Sequence, residues 1–208
     1  MKIIGSVCAA VVAICASASS FAATVADGGF EAPLVPDSSY QTFAAGSGLG
    51  DWSVVGGDVY LVNTNYHGFT AEEGLQWLSL SSATGAGVEQ TIATDPGGLY
   101  TLSFWSGNAL GPNVLGVTVG ADTYQIANVP LLVGWNQYFI PFASVGDHTT
   151  IIFYNSALPD GRPGLDNVAI SSRGGVPEPT AWAMMLLGFA GVGAGMRRRA
   201  SRPALAVG

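Results

Sequence analysis

Three patterns of apolar and polar residues divide this chain of 208 residues. Unbroken apolar runs lie near both ends, at residues 3–16 and 181–196. Between them, short segments alternate apolar with polar residues, which predicts β-strands because successive side chains of a strand point to opposite faces of a sheet. No part of this middle region has the 3.6-residue period of an amphipathic helix. The pattern therefore predicts an all-β domain, and the frequent turns favour an antiparallel β-sandwich.

Ten segments of the middle region show this alternation, and clusters of Gly, Asn, Asp and Pro separate them. They are Trp52–Val55, Asp58–Val62, Leu75–Leu80, Val88–Thr94, Tyr100–Trp105, Leu115–Val119, Thr123–Ile126, Trp135–Phe142, Thr149–Tyr154 and Leu165–Ile170. The segment 32–50 has no such pattern and is expected to form an irregular loop or a lid.

The faces of two of these segments can be assigned. In the fifth segment, Tyr100, Leu102 and Phe104 share one face, which is predicted to be core. The eighth segment is partly apolar on both faces, which predicts a central strand. Trp52 and Trp135 are expected to be buried, because large aromatic rings supply much of a sandwich core.

The N-terminal run has the layout of a secretory signal peptide. Lys2 precedes the apolar residues 3–16, and Ser20-Phe21-Ala22 is a small-x-small cleavage site. Cleavage there would leave a mature chain without a disulfide, since Cys8 and Cys15 both lie in this segment. The alternative is an N-terminal membrane anchor, but about 14 apolar residues are too few to span a bilayer.

The C-terminal run is flanked by two short motifs. Pro177, Glu178 and Pro179 precede it, and Arg197, Arg198 and Arg199 follow it. As a helix, the run would be about 24 Å long, which barely spans the hydrocarbon layer. Arginines directly after such a run hold that end in the cytoplasm and leave the Pro-Glu-Pro segment outside. The pattern predicts a marginal membrane anchor.

These residues resemble the PEP-CTERM sorting signal of Gram-negative bacteria. The resemblance covers residues 176–199, and Pro-Glu-Pro-x-x-Trp-Ala-Met-Met is close to the commonest form of that motif. It implies recognition by an exosortase, a membrane protease that cuts near the motif, in a setting where extracellular polysaccharide is made. The alternative is a plain membrane helix that packs through Gly191 and Gly195.

The middle region is less hydrophobic and more acidic than the whole chain. The mean hydropathy of +0.38 comes largely from the terminal runs. Seven basic residues face fourteen acidic ones in the whole chain, and residues 23–176 carry two arginines and thirteen acids, a net charge of −11. This excludes a nucleic-acid binder of the usual basic kind, because phosphate contacts require Lys and Arg. Clustered carboxylates attract hard cations instead.

A series of short motifs runs through the middle region. The motifs are Asp27-Gly28-Gly29-Phe30-Glu31, Asp51–Val54, Gly57–Val62, Val88–Ile92, Tyr100–Trp105, Trp135–Tyr138 and Leu165–Val168. Their order resembles galactose-binding-like jelly-roll domains of exported bacterial proteins and plant cell-wall proteins of the DUF642 type. The family usually has Asn where this chain has Asp27. The resemblance implies a jelly-roll sandwich, an outline that several carbohydrate-binding modules share.

The resemblance also implies one structural Ca²⁺. In related jelly rolls, a carboxylate from the first strand and one from the last enclose the ion together with backbone carbonyls. Glu31 and Asp166 match these positions, and Asp27 is a third candidate ligand. Such an ion would tie together the ends of a domain that has no disulfide. The alternative is that Glu31 and Asp166 accept hydrogen bonds from backbone N–H groups.

Aromatic side chains are the candidates for glycan contact, because the apolar C–H face of a pyranose ring stacks on Trp or Tyr. Trp105 lies on the strand face opposite the predicted core face. The loop that contains Asn63, Tyr66 and His67 mixes amide and aromatic groups at a strand end. The alternative is that these rings belong to the core.

No catalytic residues are predicted. The middle region has only two histidines, no Gly-x-Ser-x-Gly and no His-Glu-x-x-His. Glu72 and Glu73 are adjacent in a loop and are expected to point apart, unlike the paired carboxylates of a glycoside hydrolase. The middle region is therefore expected to be noncatalytic.

The sequence predicts four parts: a signal peptide at 1–22, a β-sandwich at 23–174, a sorting signal at 175–199 and a tail at 200–208. The predicted protein is exported through the inner membrane, is transiently anchored there by its C-terminal helix, and ends at the cell surface or outside the cell. Its predicted partners are an exosortase and an extracellular polysaccharide or cell-surface glycan. The alternative functions are a structural or adhesive matrix protein without a ligand site and, less favoured, a glycoside hydrolase.

Overall fold

The computed structural model describes residues 22–64, 66, 70–110, 114–127, 134–156, 161–173 and 189, with side chains described throughout except at 108–110. The predicted signal peptide up to residue 21, the tail at 200–208 and, apart from Phe189, the predicted C-terminal helix lie outside these ranges. Within them, no helix has the length and apolar character needed to cross a membrane.

The described residues form β-strands that pair antiparallel throughout. In chain order they are β1 Tyr40–Phe43, β2 Gly48–Leu49, β3 Trp52–Val55, β4 Val59–Asn63, β5 Gln76–Leu80, β6 Gly87–Ala93, β7 Leu99–Leu110, β8 Val114–Val119, β9 Asp122–Ala127, β10 Asn136–Ala143, β11 His148–Asn155 and β12 Arg162–Ser172.

These strands form two six-stranded sheets. The first sheet has the order β1-β4-β5-β12-β7-β10, and the second has the order β2-β3-β6-β11-β8-β9. Side chains from both sheets share one apolar core. The predicted antiparallel β-sandwich is confirmed, and each of the ten predicted strands overlaps a strand of the structure.

Alternation along the strands decides which side chains enter the core. In β7, Tyr100, Leu102 and Phe104 are buried, as predicted. Phe104 packs against Phe153 of the second sheet, with 5.0 Å between ring centroids. Trp52, also buried as predicted, lies 6.1 Å from Phe153 between ring centroids. The contact between Phe104 and Phe153 therefore joins the two sheets, and Trp52 extends the same aromatic cluster within the second sheet.

The segment 32–50 corrects one prediction, because it is part of the sandwich rather than an irregular loop or a lid. It contains β1 and β2. The Gln76 side chain accepts a hydrogen bond from the N–H of Val35, and the Asn63 side chain donates to the Val35 carbonyl at 3.0 Å. These partners are distant in sequence, so no local pattern within the segment indicates that it is held.

Strand β10 corrects a second prediction, because it is an edge strand of the first sheet and not a central one. Ile140 and Phe142 are buried on its inner face, while Phe139 on its outer face is 62% exposed. The strand is apolar on both faces because one face lies in the core and the other carries the exposed Phe139, and not because both faces are buried. Pro141 has no N–H to donate, which is compatible with an edge position.

A β-bulge in β12 sets the direction of its side chains. The register between β12 and β7 shifts between Asp166 and Ala169, and Asn167 adopts a φ of 46° there. The additional residue lets Asp166 lie on the outer face while Val168 enters the core. The Val168 N–H donates to the Gly28 carbonyl at 2.8 Å, which joins the last strand to the N-terminal segment.

Candidate functional site

The outer face of the first sheet carries a row of residues that crosses all six strands. In strand order from β1 to β10, the register places in this row Tyr40, Val62, Trp77, Asp166, Trp105 and Gln137. The pairing of β5 with β12 is given by Leu78 opposite Leu165. The residues adjacent to this pair, Trp77 on β5 and Asp166 on β12, are therefore neighbours in the row. Neighbouring strands are about 4.8 Å apart, so the row is about 24 Å long.

Three tyrosines meet at the β1 end of this row. Tyr40 is 47% exposed, and its ring centroid lies 5.2 Å from that of Tyr66 and 5.7 Å from that of Tyr60. The guanidinium of Arg162 lies over the Tyr60 ring, 5.4 Å from its centroid. This cation–π contact places N–H donors beside exposed aromatic surface.

Two tryptophans form a T-shaped pair at the centre of the row. The ring centroids of Trp77 and Trp135 are 5.8 Å apart, and Trp135 Nε1 donates to the Thr70 carbonyl at 2.9 Å. Gly164 leaves the space that the rings fill, because a Cβ there would lie 3.1 Å from the Trp135 ring and 3.2 Å from the Trp77 ring. Trp77 is buried, whereas Trp135, which was expected in the core, is only half-buried. Solvent therefore reaches Trp135 at this position.

Trp105 is the third ring position of the row. It is half-buried and lies between Asp166 and Gln137 of the neighbouring strands. The structure places it on the outer face, as alternation along β7 predicts. We call the set of six rings on this outer face the aromatic face, and its members are Tyr40, Tyr60, Tyr66, Trp77, Trp105 and Trp135.

The loop that borders the aromatic face is held by Asp166. The Oδ2 atom of Asp166 accepts hydrogen bonds from the N–H groups of Glu72 at 2.8 Å and Glu73 at 3.2 Å. Asn167, the bulge residue, donates from Nδ2 to Glu72 Oε2 at 3.0 Å. Both side chains reach the loop because the bulge turns β12 at this point, and the Glu72 carboxylate is engaged in the same network.

The other predicted calcium ligands make comparable contacts. Glu31 Oε1 accepts hydrogen bonds from the N–H groups of Leu75 at 2.8 Å and Gln76 at 3.0 Å. Asp27 Oδ1 accepts the N–H of Glu31 at 2.8 Å, while Asp27 Oδ2 is buried and has no hydrogen-bond partner in the described part of the chain. Among the described residues, no three acidic, histidine or cysteine side chains are grouped so that they could hold a metal ion.

Burial raises the pKa of two of these carboxylates. It raises the pKa of Asp166 to about 7, against the opposing effect of the backbone N–H groups of Glu73, Glu72 and Asn167. Burial also raises the pKa of Asp27. Loss of water disfavours the ionised form of each carboxylate. Either a bound proton or a nearby cation would compensate the buried negative charge.

The remaining predicted site residues lie in different places. Asn63 is buried, and its amide holds Val35, as described above. Tyr66 belongs to the aromatic face. His67 lies outside the described residues, as do the residues of the sorting motif, namely Pro177, Glu178, Pro179, Arg197, Arg198 and Arg199.

Besides Trp77 and Trp135, three members of the site at the β1 end of the row are not among the site residues predicted from the sequence. Tyr60 alternates with buried Val59 and Leu61 in β4, a local signal that its ring points outward. Tyr40 lies in the segment expected to be a loop, and Arg162 reaches Tyr60 only through sheet pairing. No local pattern indicates that these three side chains meet.

Comparison with protein families gives two matches. A family model described as "Protein of unknown function (DUF642)" matches residues 23–171. A model described as "PEP-CTERM protein-sorting motif" matches residues 175–199, which contain the Pro-Glu-Pro and arginine motifs. This motif indicates a protein that is sorted to the cell exterior. No curated protein matches the chain.

Several solved structures are similar to part of this chain. An arabinose-bound α-L-arabinofuranosidase matches with a TM-score of 0.51 at 11% identity, over 77% of this chain and 28% of that chain. The CBM22-1 xylan-binding domain of Paenibacillus barcinonensis Xyn10C matches with 0.48 at 16% identity, over 65% of this chain and 95% of that chain. A family 35 carbohydrate binding module from Clostridium thermocellum matches with 0.45 at 17% identity, over 64% of this chain and 97% of that chain. The arabinofuranosidase match, whose TM-score exceeds 0.5, indicates a fold shared with part of that chain, in agreement with the predicted sandwich.

Proposed function

Since this chain belongs to the DUF642 family and carries a PEP-CTERM sorting motif, we propose that it is a noncatalytic surface or matrix protein that associates with extracellular polysaccharide. An exosortase processes its C-terminal segment after export, and the predicted C-terminal helix holds it in the inner membrane until then. The protein then acts at the cell surface or outside the cell.

The observation that carries this proposal is the aromatic face. Its exposed or half-buried rings, among them Tyr40, Trp135 and Trp105, lie on the outer side of a sheet rather than in the core. A pyranose ring has apolar C–H faces and hydroxyl groups at its rim, so it stacks on such rings and bonds to polar groups beside them. Gln137 and Arg162 supply polar groups at the two ends of this surface.

Binding of glycans to the mature domain tests the proposal. We expect the sandwich to bind the exopolysaccharide of its own cells or at least one member of a broad glycan panel, and Trp105→Ala to weaken this binding about 3- to 10-fold because one stacking surface is lost. Titration calorimetry measures the change.

Tyr154→Ala is the matched control for Trp105→Ala. Tyr154 is half-buried on the outer face of the second sheet, where its ring packs over Gly116. Its loss should leave glycan binding unchanged. Absence of binding to every glycan, including the native exopolysaccharide, would refute the proposal and favour an adhesive matrix protein without a ligand site.

The sorting part of the proposal has a separate test. Intact mass spectrometry of the protein from its own cells should show a chain that lacks Arg197, Arg198 and Arg199. A mature chain that retains these arginines would contradict exosortase cleavage.

We also propose one structural Ca²⁺, held by Asp27, Glu31 and Asp166 together with backbone carbonyls. The supporting observation is that Asp27 Oδ2 is buried without a hydrogen-bond partner in the described part of the chain. Carboxylate and carbonyl oxygens are the ligands that Ca²⁺ prefers. The ion would supply positive charge beside the buried Asp166 carboxylate and the buried Oδ2 atom of Asp27.

A further inference from the structure

The aromatic face is divided into two parts by its centre. Val62, Trp77 and Asp166 are buried there. The backbone of the loop at Glu72 and Glu73 lies on the Asp166 carboxylate. The face therefore offers two separate surfaces, one at β1 and one at β7 and β10.

The surface at β7 and β10 is open to solvent, and its geometry follows from the register of the two strands. Trp105 on β7 lies opposite Gln137 on β10, and Phe139 lies opposite Ser103. Trp105 and Phe139 are therefore diagonal neighbours, which in an antiparallel pair are about 7 to 8 Å apart. Phe139 is 62% exposed, Gln137 is exposed and Trp105 is half-buried. Two accessible rings thus stand beside an accessible amide.

The neighbours of these rings on the outer face are small. They are exposed or half-buried, and they are Thr101 and Ser103 of β7 and Ala169 and Ser171 of β12. Since such side chains leave space above the sheet, Trp105 and Phe139 border a low floor on two sides. We call this surface the edge platform, and its members are Thr101, Ser103, Trp105, Gln137, Phe139, Ala169 and Ser171.

The edge platform has the size of a short ligand. From Trp105 to Thr101 it extends about 13 Å along β7, and across the three strands β12, β7 and β10 it is about 10 Å wide. A surface of these dimensions contacts a few consecutive sugars.

Charge restricts the kind of sugar. No member of the edge platform is charged, and its polar groups are hydroxyls and one amide, which exchange hydrogen bonds with sugar hydroxyls. Glu72 and Glu73 lie beside it on the loop that Asp166 holds, and residues 23–176 carry a net charge of −11. An anionic sugar would be repelled here, so the surroundings favour a neutral glycan.

A second copy of the chain fits the edge platform less well. Ser144 exchanges hydrogen bonds with Gly97 and Gly98 on the β7 side. Because backbone groups alternate in direction along a strand, Phe139 and Pro141 turn theirs to the outer edge of the sheet. Pro141 has no N–H to donate to another strand there, and two domains with a charge of −11 repel each other.

We propose that the edge platform is the glycan-binding site of the aromatic face and that it binds a short segment of a neutral glycan. Sugars of this segment stack on Trp105 and Phe139, and the Gln137 amide exchanges hydrogen bonds with their hydroxyl groups. This proposal rests on the proposed function and specifies its site and ligand class.

Titration calorimetry with oligosaccharides of increasing length tests the proposal. The probes are β-1,4-linked glucose, xylose and mannose oligomers from monomer to hexamer, and oligomers of the same lengths released by partial hydrolysis from the exopolysaccharide of the protein's own cells. Affinity should rise up to about the trimer, which covers the edge platform, and then remain constant. A galacturonate trimer should bind more weakly than the neutral trimers at low salt.

Variants of the two exposed residues locate the site. Phe139→Ala should lower the affinity for the trimer about 3- to 10-fold because a stacking surface is lost, and Phe139→Tyr should retain most of the affinity. Gln137→Ala should lower it to a similar extent, about 3- to 10-fold, through lost hydrogen bonds. Tyr40→Ala, on the other side of the buried centre, should have a smaller effect than Phe139→Ala. Tyr154→Ala on the second sheet should have none.

Failure of this proposal can be told apart from failure of the proposed function. If neither the oligomers nor the intact exopolysaccharide bind, both are refuted. If glycan binds but Phe139→Ala leaves the affinity unchanged, or Tyr40→Ala weakens it as much, only the assignment to the edge platform is overturned.

Three further outcomes would also overturn the proposal alone. Affinity that still rises from trimer to hexamer would contradict a short segment, and tighter binding of the galacturonate trimer would contradict a neutral ligand. A dimer in sedimentation velocity that Phe139→Ala dissociates would assign the edge platform to contact between copies of the chain.

Discussion

Gln76 is buried in the first sheet. Its side-chain amide forms hydrogen bonds with backbone groups of residues 30–35, which do not belong to a strand. Its Nε2 donates to the carbonyls of Phe30 at 2.9 Å and Pro33 at 3.1 Å, in addition to the bond that its Oε1 accepts. Gln90 has the same function in the second sheet, where it exchanges two hydrogen bonds of 2.9 Å with the backbone of Ala26. Two buried amides thus hold the N-terminal segment in a domain that has no cysteine.

Gln76→Leu should lower the free energy of unfolding by about 3 kcal/mol, because it leaves buried backbone groups without partners. Urea unfolding of the sandwich measures the change. Gln41→Leu is the matched control, since Gln41 is exposed in β1, and its effect should stay within about 0.5 kcal/mol. Equal effects of the two substitutions would contradict the assigned function of Gln76.

Asp166 should make stability depend on pH. Because burial raises its pKa to about 7, the folded protein keeps a proton there that the unfolded chain releases near pH 4. The contribution of Asp166 to the free energy of unfolding is therefore greatest below about pH 4, falls as pH rises toward 7, and is constant above that.

Comparison with Asp166→Asn, which cannot ionise, isolates this contribution. In chelator, the variant should gain stability relative to the unsubstituted protein as pH rises from about 4 to 7. Urea unfolding at a series of pH values measures the difference. A difference that does not change with pH would show that Asp166 has an ordinary pKa in the folded state.

The bulge in β12 connects several features at the scale of secondary-structure elements. It places Asp166 under the loop that borders the aromatic face and returns Val168 to the core. It also brings the Val168 backbone so close to Gly28 that a Cβ at residue 28 would lie 1.9 Å from the Val168 carbonyl oxygen. The N-terminal segment and the last strand can approach this closely only because residue 28 has no side chain.

Gly28→Ala should therefore destabilise the sandwich by about 1 to 3 kcal/mol, since the backbone of β12 must move to admit the methyl group. Gly29→Ala is a matched control at the adjacent position. A Cβ at Gly29 would meet only Glu31 Cγ, at 3.8 Å, which is an ordinary contact. Denaturant unfolding of both variants checks the prediction, and a Gly28→Ala variant as stable as Gly29→Ala would contradict it.

At the scale of the whole molecule, sheet order brings together parts of the chain that are far apart in sequence. Alternation predicts the strands and the core face of β7 because both depend on local sequence. It does not predict that β5 and β12 are neighbours, because this pairing depends on the free energy of the whole sandwich. Trp105 could be named from its own strand, whereas Tyr40 and Trp135 join it only through this pairing.

A bound Ca²⁺ would act at the same scale, because Asp27 and Glu31 belong to the N-terminal segment and Asp166 to the last strand. Its removal should lower the melting temperature of the sandwich, since an ion that binds only the folded state stabilises it by mass action. Thermal melting with added Ca²⁺ and with excess chelator measures the shift, and Mg²⁺ serves as the control cation. An unchanged midpoint would refute the ion.

The position of β12 would have a mechanical consequence if the proposed C-terminal anchor holds the protein at one end. This strand lies inside the first sheet, between β5 and β7, and its pairing with β7 extends from Arg162 to Ser172. A pull on the chain beyond Ser172, directed along the strand, loads the hydrogen bonds of this ladder in shear, so that they share the force instead of breaking one after another. While a C-terminal tether is in place, tension therefore enters the domain through a strand that is paired with β7 along most of its length and with β5 at Gly164 and Leu165.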